Sequence, residues 1–593
     1  MDKSDSLKLM ANRLRIHSIQ ATTAAGSGHP TSCCSCAEIM STLFFDELKK
    51  DDEFIMSKGH AAPILWAAYA EAGIIPKKEL LDLRKIDCEL EGHPTPRMKM
   101  IKIATGSLGQ GLSAGVGMAL AKRLQKNKDR IYVLMGDGES FEGSTWEAAN
   151  SAAYFRLNNL VAFIDCNRLG QSQPTMHGHN TQAYSKKFKA FGWNAKVVDG
   201  HDVKELRNAL KQARHSSKPF AIIARTIKGK GIPFIENKEG WHGKTLNKEE
   251  AAQAIDGIGP AKISLSSKVA YVRPTPVKIK DVPISRYQQG EMVATRGAFG
   301  KALVHLGLKN DNIVAVDGDV KNSTMTLEFC KTFPQRGFES FIAEQNMVGM
   351  AAGFATQGFV PFVSTFATFL TRAHDFIRMA AYSRANIKIV GSHAGVSIGE
   401  DGPSQMGLED LSMYLGIPDS VVLYPCDAVS AEYCTKEMAR HKGLAYLRTT
   451  REKTPTIYKR TEKFPIGKLK VLRRSGKDRV LVIGAGETVH EALKAHGNLK
   501  KKGINIRVID LYSVKPVDKA ALIRNAKECK NRVITVEDHY FGGIGSVVAE
   551  AVGKVEQLYV RGTPRSGKPG QLRRMFKIDA KAIEAAVKKI TRR

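Results

Sequence analysis

The sequence predicts an α/β protein of three domains with mainly parallel sheets. Its 593 residues exceed an ordinary domain several times over. Short β-branched runs alternate with helical patterns along the whole chain, the mark of strand–helix–strand units. Two breaker-rich stretches divide it, about 263–290 with Pro274, Pro276 and Pro283, and about 452–469 with Pro455 and Pro465. The expected domains are therefore 1–262, 291–455 after a linker at 263–290, and 456–593 with a linker of its own.

In the first segment Ile131–Met135 and Leu160–Ile164 read as buried parallel strands, with a helix over Ser144–Phe155 between them. In the second, Ile313–Val316 and Ile387–Val390 are strand candidates. In the third, Val480–Ile483, Ile506–Ile509 and Val533–Val536 repeat the scheme. Gly484-Ala-Gly486 follows a strand, but without a full dinucleotide fingerprint it reads as a structural turn.

Composition narrows the class. The chain is 43% hydrophobic and 25% charged, as globular proteins are. No apolar run reaches the roughly 18 residues of a membrane span. Met1–Met10 lacks the apolar stretch of a signal peptide, and Ile590–Arg593 matches no lipidation or peroxisomal signal. The expectation is a cytoplasmic protein without a membrane partner. Nine cysteines, three of them at Cys33, Cys34 and Cys36, offer neither a disulfide framework nor paired zinc spacing. Ninety Lys and Arg against 59 Asp and Glu give a net charge of +31. Such a field attracts anions generally. The basic residues are scattered and accompany no nucleic-acid-binding signature, so nucleic acid is not indicated.

The chemistry gathers where Gly136-Asp137-Gly138-Glu139 follows one strand and Asn167 follows the next. Ends of neighbouring parallel strands lie side by side, and ligands collect at that carboxyl edge. A carboxylate, an amide oxygen and a loop carbonyl suit a hard cation such as Mg²⁺ or Ca²⁺, with positions left for phosphate oxygens. The flanking glycines permit close backbone approach. Gly106-Ser107-Leu108-Gly109-Gln110-Gly111 adds a glycine-rich loop opening a helix.

This arrangement resembles the thiamine-diphosphate signature, in which Asp137, Asn167 and the carbonyl of Leu169 would hold the metal on the diphosphate. The resemblance implies two cofactor-binding α/β domains and a smaller C-terminal one. It also implies a carboxylic acid on the cofactor's pyrimidine, in an apolar setting that keeps its proton. Glu344, within Phe341–Met347, is that candidate, with Phe366 and Phe369 packing the ring.

More widely, the chain resembles transketolases of the animal type. The matching stretches are Ala25–Ser32, Ser57–His60, Gly92–Pro94, Asp165–Gln171, Lys228-Gly229, Trp241–Lys244, Ala294–Arg296, Asp317–Thr324, Gly391–Met406 and Arg448–Arg451. The resemblance implies that His29, His60, His93 and His242 line a sugar channel and shuttle protons. Ser32, Lys58, Gln171 and Lys228 would lie near the cofactor, and Gln405 near its pyrimidine. Asp401 would contact sugar hydroxyls. Arg296, Ser323, His393 and Arg451 would grip a substrate phosphate, Arg's fork suiting its oxygens. A homodimer with two interfacial active sites is expected, acting on phosphorylated sugars in the pentose phosphate pathway. One departure stands out: Asp46–Phe54 is shorter than in the family, which bears on the channel mouth. The competing readings are an inactive transketolase-like protein that docks polyanions, and another enzyme of the cofactor class such as deoxyxylulose-phosphate synthase.

Overall fold

The computed structural model describes residues 2–271 and 277–592. Pro274 and Pro276 of the first expected linker, and Met1 and Arg593 of the termini, lie outside the described residues. The chain forms two compact units, Met1–Thr275 with Gly349–Gln357, and Pro276–Val348 with Gly358–Arg593.

The first unit is built on a five-stranded sheet of β1 (Glu53–Met56), β2 (Ile131–Gly136), β3 (Leu160–Cys166), β4 (Asn194–Asp199) and β5 (Phe220–Arg225). The strand order is β1-β2-β3-β5-β4, parallel throughout. Every residue of β2 and β3 is buried. That is why they read as unbroken apolar runs: a parallel sheet is covered on both faces. Both strands run slightly past the expected ends, to Gly136 and Cys166, and the expected helix is Gly143–Tyr154. The helix Val203–Arg214 buries Val203, Leu206 and Leu210 and is N-capped by the Asp202 carboxylate, which accepts from Lys204 N and Glu205 N. The 23-residue helix Lys3–Ala25 ends on Gly26 with φ +58°, where a left-handed cap suits glycine.

The short Asp46–Phe54 segment enters β1 from its amino end, where Arg130 N donates to Asp52 Oδ1 at 2.8 Å. The residues expected to do chemistry follow the carboxyl ends of the strands. The shortening therefore falls at the opposite end of the sheet from them, and the expected effect on the channel mouth does not arise from this segment directly.

Among the described residues the second unit holds three sheets. Its strands are β6 (Met292–Ala294), β7 (Ile313–Asp317), β8 (Gly337–Glu339), β9 (Val360–Phe366), β10 (Lys388–Ser392), β11 (Val421–Leu423), β12 (Ala445–Arg448), β13 (Lys453–Pro455), β14 (Lys470–Arg473), β15 (Val480–Gly484), β16 (Ile506–Asp510), β17 (Ser513–Lys515), β18 (Val533–Val536) and β19 (Glu556–Leu558). The larger sheet has the order β17-β11-β12-β10-β9-β7-β8, and the last the order β14-β16-β15-β18-β19. Strand–helix alternation gives the parallel cores of both.

Two features were not legible. The stretch expected as a second linker contains β13, which pairs antiparallel with β6; only three residues pair, too few for periodicity to register. And β17, from the third segment, adds antiparallel to β11 at the edge of the second segment's sheet. The two segments therefore share one sheet.

Candidate functional site

At the carboxyl edge of the first sheet, Lys58 and Asp165 form an ion pair, with side chains 1% and 0% exposed. Around it, Asp165 Oδ2 also accepts from Ser35 Oγ at 2.6 Å and Asn167 Nδ2 at 3.1 Å, and Oδ1 accepts from Thr226 Oγ1. Burial alone would raise the Asp165 carboxyl, but Lys58 and these donors hold it below its ordinary range. The consequence is orientational: with Nδ2 committed to Asp165, the Asn167 amide oxygen faces the Leu169 loop, where it accepts from Leu169 N at 3.3 Å. A second buried carboxylate, Glu139, accepts from Ser57 Oγ, Gly109 N at 3.0 Å and Gly136 N at 3.1 Å. It ties the Gly106–Gly111 loop to the end of β2.

Asp137 lies directly after β2 and is 3% exposed. Its carboxylate accepts from Gly138 N at 2.9 Å, Arg168 N at 2.8 Å and Thr175 Oγ1 at 3.1 Å. Burial, followed by the Asp165 charge, pushes its carboxyl up to about 6. The Leu169 carbonyl accepts from Lys228 Nζ at 2.8 Å, and the same ammonium lies 2.6 Å from His242 Nδ1. Burial, then the charge of Lys58, brings Lys228 down to about 8. Gln171 is exposed in the adjoining loop.

Four imidazoles close around one another. His29 lies 5.2 Å from both His60 and His242 between ring centroids and 6.3 Å from His93, while His60 and His242 are 5.1 Å apart. Gly106, with φ +121°, gives this cluster its room: a Cβ there would lie 2.7 Å from the His93 ring. Burial is the first cause of the downward shift of every one, to about 4 for His29 and about 3 for His242. All four are neutral at physiological pH, and each can donate or accept. Lys228, donating to Nδ1, fixes His242 with its proton on Nε2.

In the second unit Glu344 opens the helix Glu344–Thr356, is 6% exposed and has Arg372 at 3.6 Å. Phe366 at the end of β9 stacks on Phe369, with centroids 5.2 Å apart, and on His393 at 3.9 Å. Arg296 Nη1 donates to the Ser323 carbonyl at 2.8 Å and lies 3.2 Å from His393 Nε2. Arg451 donates to the Ile398 carbonyl at 3.3 Å and to Asp401 Oδ2 at 2.9 Å. Burial, then the charges of Arg296 and Arg451, lowers His393 to about 3. Gln405 ends the short turn Pro403–Gln405 of the same loop. All the residues expected to grip a phosphate are thus gathered.

The sequence matches the family model of the transketolase thiamine diphosphate binding domain over residues 6–265, that of the pyrimidine binding domain over 291–456, and that of the C-terminal domain over 467–583. The chain belongs to the transketolase family. Transketolase of Homo sapiens is 51% identical over 610 residues, covering 99% of this chain and 97% of that one. Transketolase-like protein 2 of Mus musculus is also 51% identical, over 615 residues, covering 99% and 98%. The crystal structure of transketolase from Campylobacter jejuni has the same fold, with a TM-score of 0.89 at 23% identity, covering 99% of this chain and 100% of that one. The transketolase three-domain fold with mainly parallel sheets is thereby established, as is a thiamine diphosphate binding domain.

The residues present fit that cofactor. A carboxylate, an amide oxygen and a carbonyl belong to the turns after β2 and β3 at the carboxyl edge, a donor set suited to a hard cation. The Asp137 carboxyl, pushed up by burial and the Asp165 charge, is the kind of group a bound cation would favour in its charged form. Two buried polar atoms nearby, Ser32 Oγ and His29 Nδ1, have no partner within the protein. Asp137→Asn is expected to weaken thiamine diphosphate binding with Mg²⁺ at least about 100-fold, since changes one shell further out already cost 10–100-fold. Calorimetric titration checks this; retained affinity would remove Asp137 from the clamp.

Asp165, Ser57 and Glu139 were missed as functional residues. Each sits in a stretch the sequence singled out, but nothing in residue type or spacing separates an internal brace from a surface carboxylate or hydroxyl.

Proposed function

We propose that the chain is an active transketolase. It moves a two-carbon ketol unit reversibly from a ketose phosphate such as xylulose 5-phosphate to an aldose phosphate such as ribose 5-phosphate or erythrose 4-phosphate, the non-oxidative pentose phosphate reaction. The observation that carries this is the neutral histidine quartet beside the Asp137–Asn167 edge.

Thiamine diphosphate, when bound, stabilises the carbanion formed as a carbon–carbon bond next to a carbonyl breaks. Asp137, Asn167 and the Leu169 carbonyl would hold Mg²⁺ or Ca²⁺ on the diphosphate. Gly136, Gly138 and the Gly106–Leu108 loop give its oxygens backbone access, with Ser32, Lys58 and Gln171 near it. Glu344, Phe366, Phe369 and Gln405 would hold the pyrimidine. His29, His60, His93 and His242 take and return protons at the sugar oxygens, Nε2 of His242 being the donor. Arg296, Ser323, His393 and Arg451 receive the terminal phosphate, and Asp401 the sugar hydroxyls. The pyrimidine half is contributed by a second copy, so the working form is a homodimer, cytoplasmic, with domains at 1–262, 291–455 and 456–593. Among the described residues no helix is long and apolar enough to cross a membrane.

Lys228 gives the reaction an alkaline limit. With its ammonium brought down to about 8, Lys228 becomes a neutral amine above that pH, which can accept as well as donate and no longer holds the His242 proton on Nε2. A fall in kcat with a midpoint near 8 is expected, and Lys228→Met is expected to abolish that limb; a wild-type profile flat to pH 9.5 contradicts it.

The deciding assay supplies thiamine diphosphate, Mg²⁺, xylulose 5-phosphate and ribose 5-phosphate and follows sedoheptulose 7-phosphate. Turnover with pyruvate and glyceraldehyde 3-phosphate instead would make the chain a deoxyxylulose-phosphate synthase. The net charge of +31 favours one other reading, an inactive transketolase-like protein that docks polyanions. Protein that binds no thiamine diphosphate yet shifts RNA at physiological salt would establish it.

A further inference from the structure

The loop after β10 carries His393, Asp401 and Gln405, and the C-terminal segment fastens it at several places. Val396 N donates to Asp538 Oδ1 at 2.8 Å, Leu411 N donates to His539 Nε2 at 3.1 Å, and Tyr540 N donates to the Leu408 carbonyl at 3.0 Å. Gly395 has φ +79°, and a Cβ there would lie 1.9 Å from Asp538 Oδ2. At the loop's tip, a Cβ on Gly402 would lie 2.7 Å from Ser566 Oγ.

The same segment reaches the chain leaving β12. Buried Arg448 donates to the Asp538 carbonyl at 2.9 Å. Arg573, on the helix Pro569–Met575, takes the Glu452 carboxylate in a fork, Nη1 at 2.5 Å and Nη2 at 3.1 Å. Its Nη1 is also 3.3 Å from Glu487 Oε2. Bidentate pairing of this kind fixes direction as well as charge. Glu452 is the immediate neighbour of Arg451, whose side chain is 43% exposed and already faces one carboxylate, Asp401.

We propose that Arg573 is a positioning residue for phosphate recognition: it holds the Glu452 carboxylate away from Arg451, so that Asp401 is not joined by a second carboxylate competing with the substrate's phosphate. The C-terminal domain thereby sets substrate affinity without touching substrate. The physical step is competition. A carboxylate freed beside Arg451 occupies the same fork that a phosphate would. This rests on the reading of Arg451 given above.

The test compares Arg573→Ala, Glu452→Gln and the double variant with wild type. Arg573→Ala is expected to raise KM for ribose 5-phosphate roughly tenfold, one charge-assisted contact's worth. Its kcat and its KM for unphosphorylated glycolaldehyde stay within about twofold. Adding Glu452→Gln restores the phosphate KM, because the competing charge is gone. An equal rise for both acceptors, no rise, or no restoration overturns the proposal. Should Arg573→Ala not fold, Glu452→Gln alone decides: it binds ribose 5-phosphate at least as tightly as wild type, and weaker binding overturns the proposal. Calorimetry with ribose 5-phosphate separates the two readings. Wild type that binds it without turnover defeats the catalytic reading, while the variants' relative affinities still decide this one; wild type that does not bind it defeats both.

Discussion

Glu344→Ala is expected to lose the proposed ketol transfer by at least about 100-fold, within the range of 10²–10⁴ that a positioned proton-transfer group contributes. Glu344 opens the helix Glu344–Thr356 at 6% exposure, followed by the buried Met347, Val348, Met350 and Ala351. Such a carboxyl can make one directed contact to a heterocycle nitrogen without water competing for it. Alanine leaves the helix intact, since it is the best helix former. The loss therefore appears in kcat, while circular dichroism and the unfolding midpoint stay near wild type. Glu344→Asp, one methylene shorter, recovers part of the rate. Unchanged turnover in the alanine variant would strip Glu344 of its role.

The second large effect is on stability. Lys58→Met leaves the Asp165 carboxylate, 0% exposed, with hydrogen-bond donors but without its paired ammonium. Removing one member of a buried ion pair costs about 3–5 kcal/mol, most of it the uncompensated charge left behind. The chain reports this locally, because its four tryptophans, Trp66, Trp146, Trp193 and Trp241, all belong to the first unit. Denaturant unfolding followed by tryptophan fluorescence should show the midpoint falling. Lys58→Met with Asp165→Asn should recover much of the loss, since the stranded charge is then gone. A single variant as stable as wild type would show that Ser35, Thr226 and Asn167 satisfy Asp165 unaided.

Legibility followed chemistry more than position. Strands such as Ile131–Gly136 and Leu160–Cys166 were readable because burial on both faces demands continuous apolar runs. Asp137 and Asn167 were readable because turns after adjacent strands must meet. The histidines came from glycine-bearing stretches, and Gly106 shows why glycine is needed beside His93. Asp165 and Glu139 were opaque, since bracing by a buried carboxylate depends on hydroxyls and amides supplied from distant parts of the chain. Arg573 was opaque for the same reason: its partner Glu452 lies 121 residues away. The three-residue strands β6, β13 and β17 carry too little pattern to announce themselves.

The pairing of Ser513–Lys515 with Val421–Leu423 has a consequence for how this protein can be divided. A chain ending before residue 470 would bare the amides and carbonyls of Val421–Leu423 as an open sheet margin, a template for sticking to other chains. The fragment left over would carry an orphan strand with nothing to lie against. Neither piece is a self-sufficient module, so the two segments are best kept together in any exchange between relatives.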